Sequence, residues 1–138
     1  ITIGKFCSIG PRCVFLSVNH NHRFMTTYPL EQVLHGANRK WDEYVSRDIS
    51  LGNDVWVGEK VTITAGAEIG DGCIIAAGCV VPGKKFPRFS VIGGVPGRVI
   101  KDRLDKSQVE RVMEMEWWNK TPEVIFHQLM NDLHSELK

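Results

Sequence analysis

A hydrophobic residue returns at every sixth position of this chain: Ile3, Ile9 and Phe15, then Leu51, Val57, Ile63, Ile69, Ile75 and Val81. A period of six matches neither the turn of an amphipathic helix nor the two-residue alternation of a simple strand. It suits short strands joined by tight turns, coiled so that each aliphatic side chain stacks on its counterpart one coil away. Gly follows at once in Gly4, Gly10, Gly52, Gly58 and Gly70, where it is expected to supply turn conformations that a Cβ opposes. Four places after each aliphatic residue comes a small or β-branched one, in Cys7, Cys13, Val55, Val61, Ala67, Cys73 and Cys79. A fully buried Ile or Val contributes about 1.5–3 kcal/mol, so the stack is itself the core.

The repeat register explains the cysteines. All four fall in the same small inward slot, and none forms the CxxC spacing of zinc or redox sites. They read as small buried hydrophobes, and no metal is expected. With 43% hydrophobic and 24% charged residues the chain is a folded domain and not a disordered one. Its net charge of +1 gives no electrostatic case for nucleic acid or an anionic membrane. No apolar run is long enough to span a bilayer and no signal peptide is visible, so a cytoplasmic location is expected. Ile1 falls inside a repeat, so an N-terminal segment is expected to be missing.

The repeat gives way over residues 19–48, a length that points to a functional insertion. The insertion carries His20, His22, Arg23, Phe24, Tyr28, His35 and Trp41, where a linker would hold Gly, Ser or Pro. An imidazole titrates near neutrality and serves as a general base. After the last hexads Lys84, Lys85, Arg88, Arg98, Lys101 and Arg103 form the densest basic stretch of the chain. The pattern then becomes helical. Ser107 and Glu110 read as a capping box, and Thr121 with Pro122 as a second helix start leading into Ile125, Leu129, Leu133 and Leu137. The organisation is therefore a coil over residues 1–103 and a helical cap over residues 104–138, expected to cover the open end of the coil.

The hexads "IGKFCS", "IGPRCV" and "LGNDVWVGEKVTITAGAEIGDGCIIAAGCVV", the segment "GGVPGRVIK" and the tail "EMEWWN" resemble the hexapeptide-repeat acyltransferases. The Trp-Trp-Asn tail is similar to the xenobiotic acetyltransferase branch, which includes chloramphenicol and streptogramin acetyltransferases and related sugar O-acetyltransferases. The resemblance implies a mainly β fold, a left-handed parallel β-helix of hexapeptide repeats with an extended loop and C-terminal α-helices. It also implies a homotrimer with sites between subunits and acetyl-CoA as co-substrate, without a metal.

In that family the loop carries the catalytic base in an Asn-His context ahead of a Thr-Tyr-Pro element. Here "VNHNH" and "TTYPL" match, which makes His20 the implied base, with His22 the alternative. The resemblance places Arg98 and Lys101 on the nucleotide phosphates and Ala77 and Gly78 along the pantetheine arm. Gly58 and Glu59, about one coil earlier, border the same channel. Trp56 and Tyr28 are implied to line the acceptor side. The implied activity is direct transfer of acetyl to a hydroxyl of a saccharide. An antibiotic acceptor is the alternative, and a non-catalytic β-solenoid is the alternative of another class.

Overall fold

The computed structural model describes residues 1–35 and 44–134; Trp41 and Leu137 lie outside them. Each hexad contributes one very short strand. The first coil is β1 (Thr2–Ile3), β2 (Ser8–Ile9) and β3 (Val14–Leu16). The insertion follows, with β4 (Val18–His20), α1 (Leu30–His35) and β5 (Tyr44–Ser46). The second coil is β6 (Ser50–Leu51), β7 (Trp56–Val57) and β8 (Thr62–Thr64), and the third is β9 (Glu68–Ile69), β10 (Ile74–Ile75) and β11 (Val80–Val81). The fourth holds β12 (Lys85–Phe86) and β13 (Ser90–Gly93), after which β14 (Arg98–Asp102) turns back antiparallel to β13.

Parallel pairing between coils builds three sheets, in the orders β1-β6-β9-β12, β2-β7-β10-β13-β14 and β3-β8-β11. The registers set the hexad residues on one another: Ile3, Leu51, Ile69 and Phe86; Ile9, Val57, Ile75 and Ile92; Phe15, Ile63 and Val81. The interior of the coil is this stack. Val57, Ile63, Ile75, Val81 and Ile92 are 0% exposed, whereas Ile3 and Ile9 in the first coil remain 44% and 42% exposed. Cys73 and Cys79 are buried and Cys7 and Cys13 half-buried for the same reason of position. Burial pushes the Cys73, Cys79 and Cys7 thiols up from their ordinary range, as expected of packing residues.

The repeat glycines have a different cause from the one expected. Positive φ falls on Phe6 (58°), Arg12 (59°), Asp54 (56°), Lys60 (57°) and Phe89 (56°), and on Gly72 and Gly78, not on the glycines that follow each aliphatic residue. Those glycines are imposed by stacking. A Cβ at Gly58 would lie 2.6 Å from the backbone nitrogen of Ala77, and one at Gly52 would lie 2.7 Å from that of Asp71. Successive coils approach too closely there for any side chain.

The turn that leads from Val81 into the fourth coil is one residue short, since Ile69 pairs with Phe86 and Ile75 stacks on Ile92. The six-residue phase is lost with that deletion, and Phe86, Ser90 and Ile92 join the core outside it.

The tail departs from expectation at its first cap. Asp105 caps α2 (Lys106–Met115), accepting from the Gln108 N–H at 2.9 Å while its own N–H donates to Gln108 Oε1 at 2.9 Å. Ser107 sits inside the first turn and donates to Asp105 Oδ1 at 2.8 Å. Two overlapping capping-box patterns compete here, and the carboxylate, the stronger acceptor, prevails. A 3₁₀ turn at Trp117–Asn119 follows, then α3 (Pro122–Val124), a π-helical turn at Ile125–Leu129 and α4 (Met130–Leu133). Thr121 does cap the second start, with Pro122 at its first position. The π turn interrupts the regular four-residue spacing expected over this stretch.

This tail runs along the corner between the first and second sheets. Arg103 donates to Asp54 Oδ2 at 3.0 Å and to the Gly72 carbonyl at 2.9 Å. Trp117 packs on Phe6 with ring centroids 4.7 Å apart, and Lys5 Nζ donates to Asn119 Oδ1 at 2.9 Å. In its contacts the expected cap is a brace that ties the fourth coil back to the first.

Candidate active site

The insertion leaves the coil where β3 ends and returns where β6 begins, at the corner between the third and first sheets. Its stem is a two-stranded antiparallel pair in which His20 faces Tyr44 and Val18 faces Ser46. The Arg47 N–H donates to the Ser17 carbonyl at 3.0 Å and closes the stem against the coil. Because paired backbone holds it, His20 is presented by a strand and not by a loose tip. Its Nδ1 lies 2.8 Å from the Thr27 carbonyl oxygen.

A cavity of about 640 Å³ opens beside this stem. Its walls carry Asn19, His20, Asn21, His22, Arg23, Ser46 and Arg47 as polar members, against which Val45 and Ala65 are the apolar ones. Both histidines predicted from the sequence therefore share one cavity. Arg47 was not singled out by the sequence. It stands alone two residues before the repeat resumes, and no pattern marks it.

A second grouping forms at the corner between the second and third sheets. Gly78 donates its N–H to the Glu59 carbonyl at 2.8 Å, so the Glu59 and Gly78 turns stack in adjacent coils, with Gly58 directly against Ala77. Gly78 has φ +71°, and a Cβ there would meet nothing within 4 Å, which leaves a bare backbone shelf. The Glu59 carboxylate is paired with Arg12 and with Lys60 Nζ at 3.7 Å. The Gly97 N–H donates to the Val80 carbonyl at 2.8 Å and brings the start of β14 to this edge. Arg98 and Lys101 both lie exposed on β14, opposite Gly93 and Val91.

Trp56 points outward from β7, 57% exposed, between Ser8 and Ile74 of the neighbouring strands. Tyr28 is 57% exposed on the insertion and lies outside the walls of the His20 cavity. Within one chain, then, the structure gathers Gly58, Glu59, Ala77 and Gly78 at one corner with Arg98 beginning beside it. It gathers His20 and His22 at another. It does not bring the two groups, or Trp56, into a single pocket. Among the described residues no three His, Cys, Asp or Glu side chains are arranged to hold a metal ion. No helix among them is long and apolar enough to cross a membrane.

Comparison with known proteins fits this architecture. The family described as Bacterial transferase hexapeptide (six repeats) matches residues 48–83. Beyond the repeats, a probable macrolide acetyltransferase of Lysinibacillus sphaericus is 37% identical, over 94% of this chain and 74% of that protein. The chain belongs to the bacterial hexapeptide-repeat transferases. Among its other relatives, a virginiamycin A acetyltransferase of Staphylococcus aureus is 40% identical over 91% of the chain and 59% of that protein. A solved galactoside acetyltransferase in complex with coenzyme A superposes with a TM-score of 0.60 at 33% identity, over 77% of this chain and 46% of that one. This hexapeptide-repeat transferase thus spans little more than half the length of several proteins it matches.

Proposed function

We propose that the chain is an acetyl-CoA-dependent O-acetyltransferase that moves an acetyl group to a hydroxyl of a saccharide, with His20 as general base. The observation that carries this reading is the contact between His20 Nδ1 and the Thr27 carbonyl. A carbonyl only accepts, so Nδ1 holds the ring proton of the neutral imidazole and Nε2 holds the lone pair. That is the tautomer a base needs.

Nε2 takes the proton of the acceptor hydroxyl as its oxygen attacks the thioester carbonyl. The tetrahedral adduct then collapses, the bond to sulfur breaks, and the leaving thiolate takes the proton from the imidazolium. No acyl-enzyme is formed. His22, on the same cavity wall, contacts the acceptor.

The donor is assigned to the corner of Gly58, Glu59, Ala77 and Gly78, where the bare shelf suits a pantetheine arm. Arg98 and Lys101 meet its phosphates. Because this corner and the His20 cavity lie at opposite ends of the third sheet, a homotrimer would complete the site, with the insertion of one subunit facing the donor corner of the next. Trp56 and Tyr28 would then line the acceptor side from the two chains. The coil is assigned the left-handed winding of its family. A donor made in the cytoplasm supports a cytoplasmic enzyme.

A cavity walled by amides, imidazoles and guanidinium groups suits a polyhydroxylated acceptor, and the galactoside acetyltransferase likeness supports it. The macrolide and virginiamycin A relatives favour a second reading, an antibiotic acceptor. Thiol release from acetyl-CoA, measured with saccharides, chloramphenicol and a streptogramin in parallel, separates the two. Release with antibiotics alone would move the acceptor to that class. No release in any arm, with the oligomer folded, would leave a non-catalytic solenoid.

A further inference from the structure

Resting on the transferase reading above, we propose that the acceptor is an anionic saccharide of the uronate kind, whose carboxylate is held by Arg47 while its hydroxyl meets His20. Arg23 and Arg47 both line the His20 cavity, and no carboxylate of the described residues does. Among the described residues three arginines are paired, Arg12 with Glu59, Arg103 with Asp54 and Arg111 with Asp132, whereas Arg88 and Arg98 outside the cavity are not. Among the described residues neither Arg23 nor Arg47 forms an ion pair. Arg47 also borders a second hollow with Asp48, to which it is not ion-paired, and with Glu68, whose carboxylate is held by Lys85 Nζ at 3.0 Å.

Arg47 is placed and not merely present. The Arg47 backbone is fixed by its bond to Ser17, and its aliphatic stem lies across Gly66, where an added Cβ would come within 3.2 Å of Arg47 Cδ. Gly66 itself has φ +84° and donates its N–H to the Asp48 carbonyl at 3.1 Å. A side chain at position 66 would therefore displace the guanidinium as well as strain the turn. The Arg23 N–H donates to Asn21 Oδ1 at 3.0 Å, a local bond between two residues that both line the cavity. A planar guanidinium binds a carboxylate through two parallel hydrogen bonds, and such a bond orients a sugar as well as holding it.

The test uses the assembled protein and a matched pair of acceptors, para-nitrophenyl glucuronide and para-nitrophenyl glucoside, with thiol release from acetyl-CoA as readout. The glucuronide should have the higher kcat/KM by about tenfold or more, as a charge-assisted hydrogen bond implies. Arg47→Met should collapse that ratio towards one, Arg47→Lys should restore part of it, and the acetyl-CoA affinity of both variants should match the parent. Equal or greater use of the glucoside, use of neither, or a ratio indifferent to Arg47→Met overturns the anionic acceptor. So does weakened acetyl-CoA binding in Arg47→Met, which would make the cation a donor contact. Acetyl-CoA binding by the parent protein tells the two failures apart, because its loss would sink the transferase reading as well.

Discussion

The Thr27 carbonyl oxygen stands 2.8 Å from His20 Nδ1 and so decides which nitrogen of that ring is basic. The partner is backbone, supplied by a residue seven positions along the same insertion. The insertion therefore orients its own imidazole. Removing the imidazole should remove the proposed base, and because His20 is exposed on β4 the coil core should be untouched. His20→Ala should lose about 10²- to 10⁴-fold in turnover with an unchanged melting temperature. His22→Ala should lose far less. Steady-state kinetics with both variants checks this, and the reverse order would transfer the role to His22.

Gly58 and Gly78 lie in adjacent turns and should respond differently to the same substitution. A Cβ at Gly58 runs into Ala77 backbone, so Gly58→Ala should cost well over ~2 kcal/mol or prevent folding. A Cβ at Gly78 meets open space, and the cost there is the positive φ alone, about 1 kcal/mol. Denaturant titration of the two variants should rank them in that order.

Arg103 clasps Asp54 and the Gly72 carbonyl from the start of the tail. Arg103→Met should leave both acceptors short of a donor and lower stability by about 1–3 kcal/mol. Lysine, with one ammonium in place of a fork, should restore only part of it. Chemical unfolding of the pair of variants is the check.

Thiol labelling should follow position in the stack. Cys7 and Cys13, half-buried in the first coil, should react with a thiol reagent well before Cys73 and Cys79 do. The buried pair is slowed by inaccessibility, while the upward push of burial on the thiol is shared with Cys7 and does not set the order. Timed labelling read by mass spectrometry gives the order, and simultaneous reaction of all four would contradict the stacked register.

The strands of the first three coils were legible because every hexad uses the same inward slot, from Ile3 to Val81. The fourth coil was not, because a one-residue deletion shifts Phe86 and Ile92 out of phase while their pairing with Ile69 and Ile75 persists. Gly52 and Gly58 were visible as a pattern but not as a cause, since the distance between coils is a property of the stack and not of any hexad. The cap at Asp105 was hidden by a second pattern two residues on, at Ser107. In the candidate site, His20 and His22 announced themselves by interrupting the repeat. Arg47 reaches the same cavity only because β5 folds back beside β4 and Gly66 makes room, and neither pairing leaves a local signature.

The measurement that goes most directly to the central claim is a calorimetric titration of acetyl-CoA into the assembled protein and its Arg98→Ala variant. The account predicts saturable binding that weakens by about tenfold or more when Arg98 no longer meets a phosphate, with no change in melting temperature. Absence of binding by a folded protein, or an affinity indifferent to Arg98, would contradict the assignment of the donor to the Glu59 and Gly78 corner.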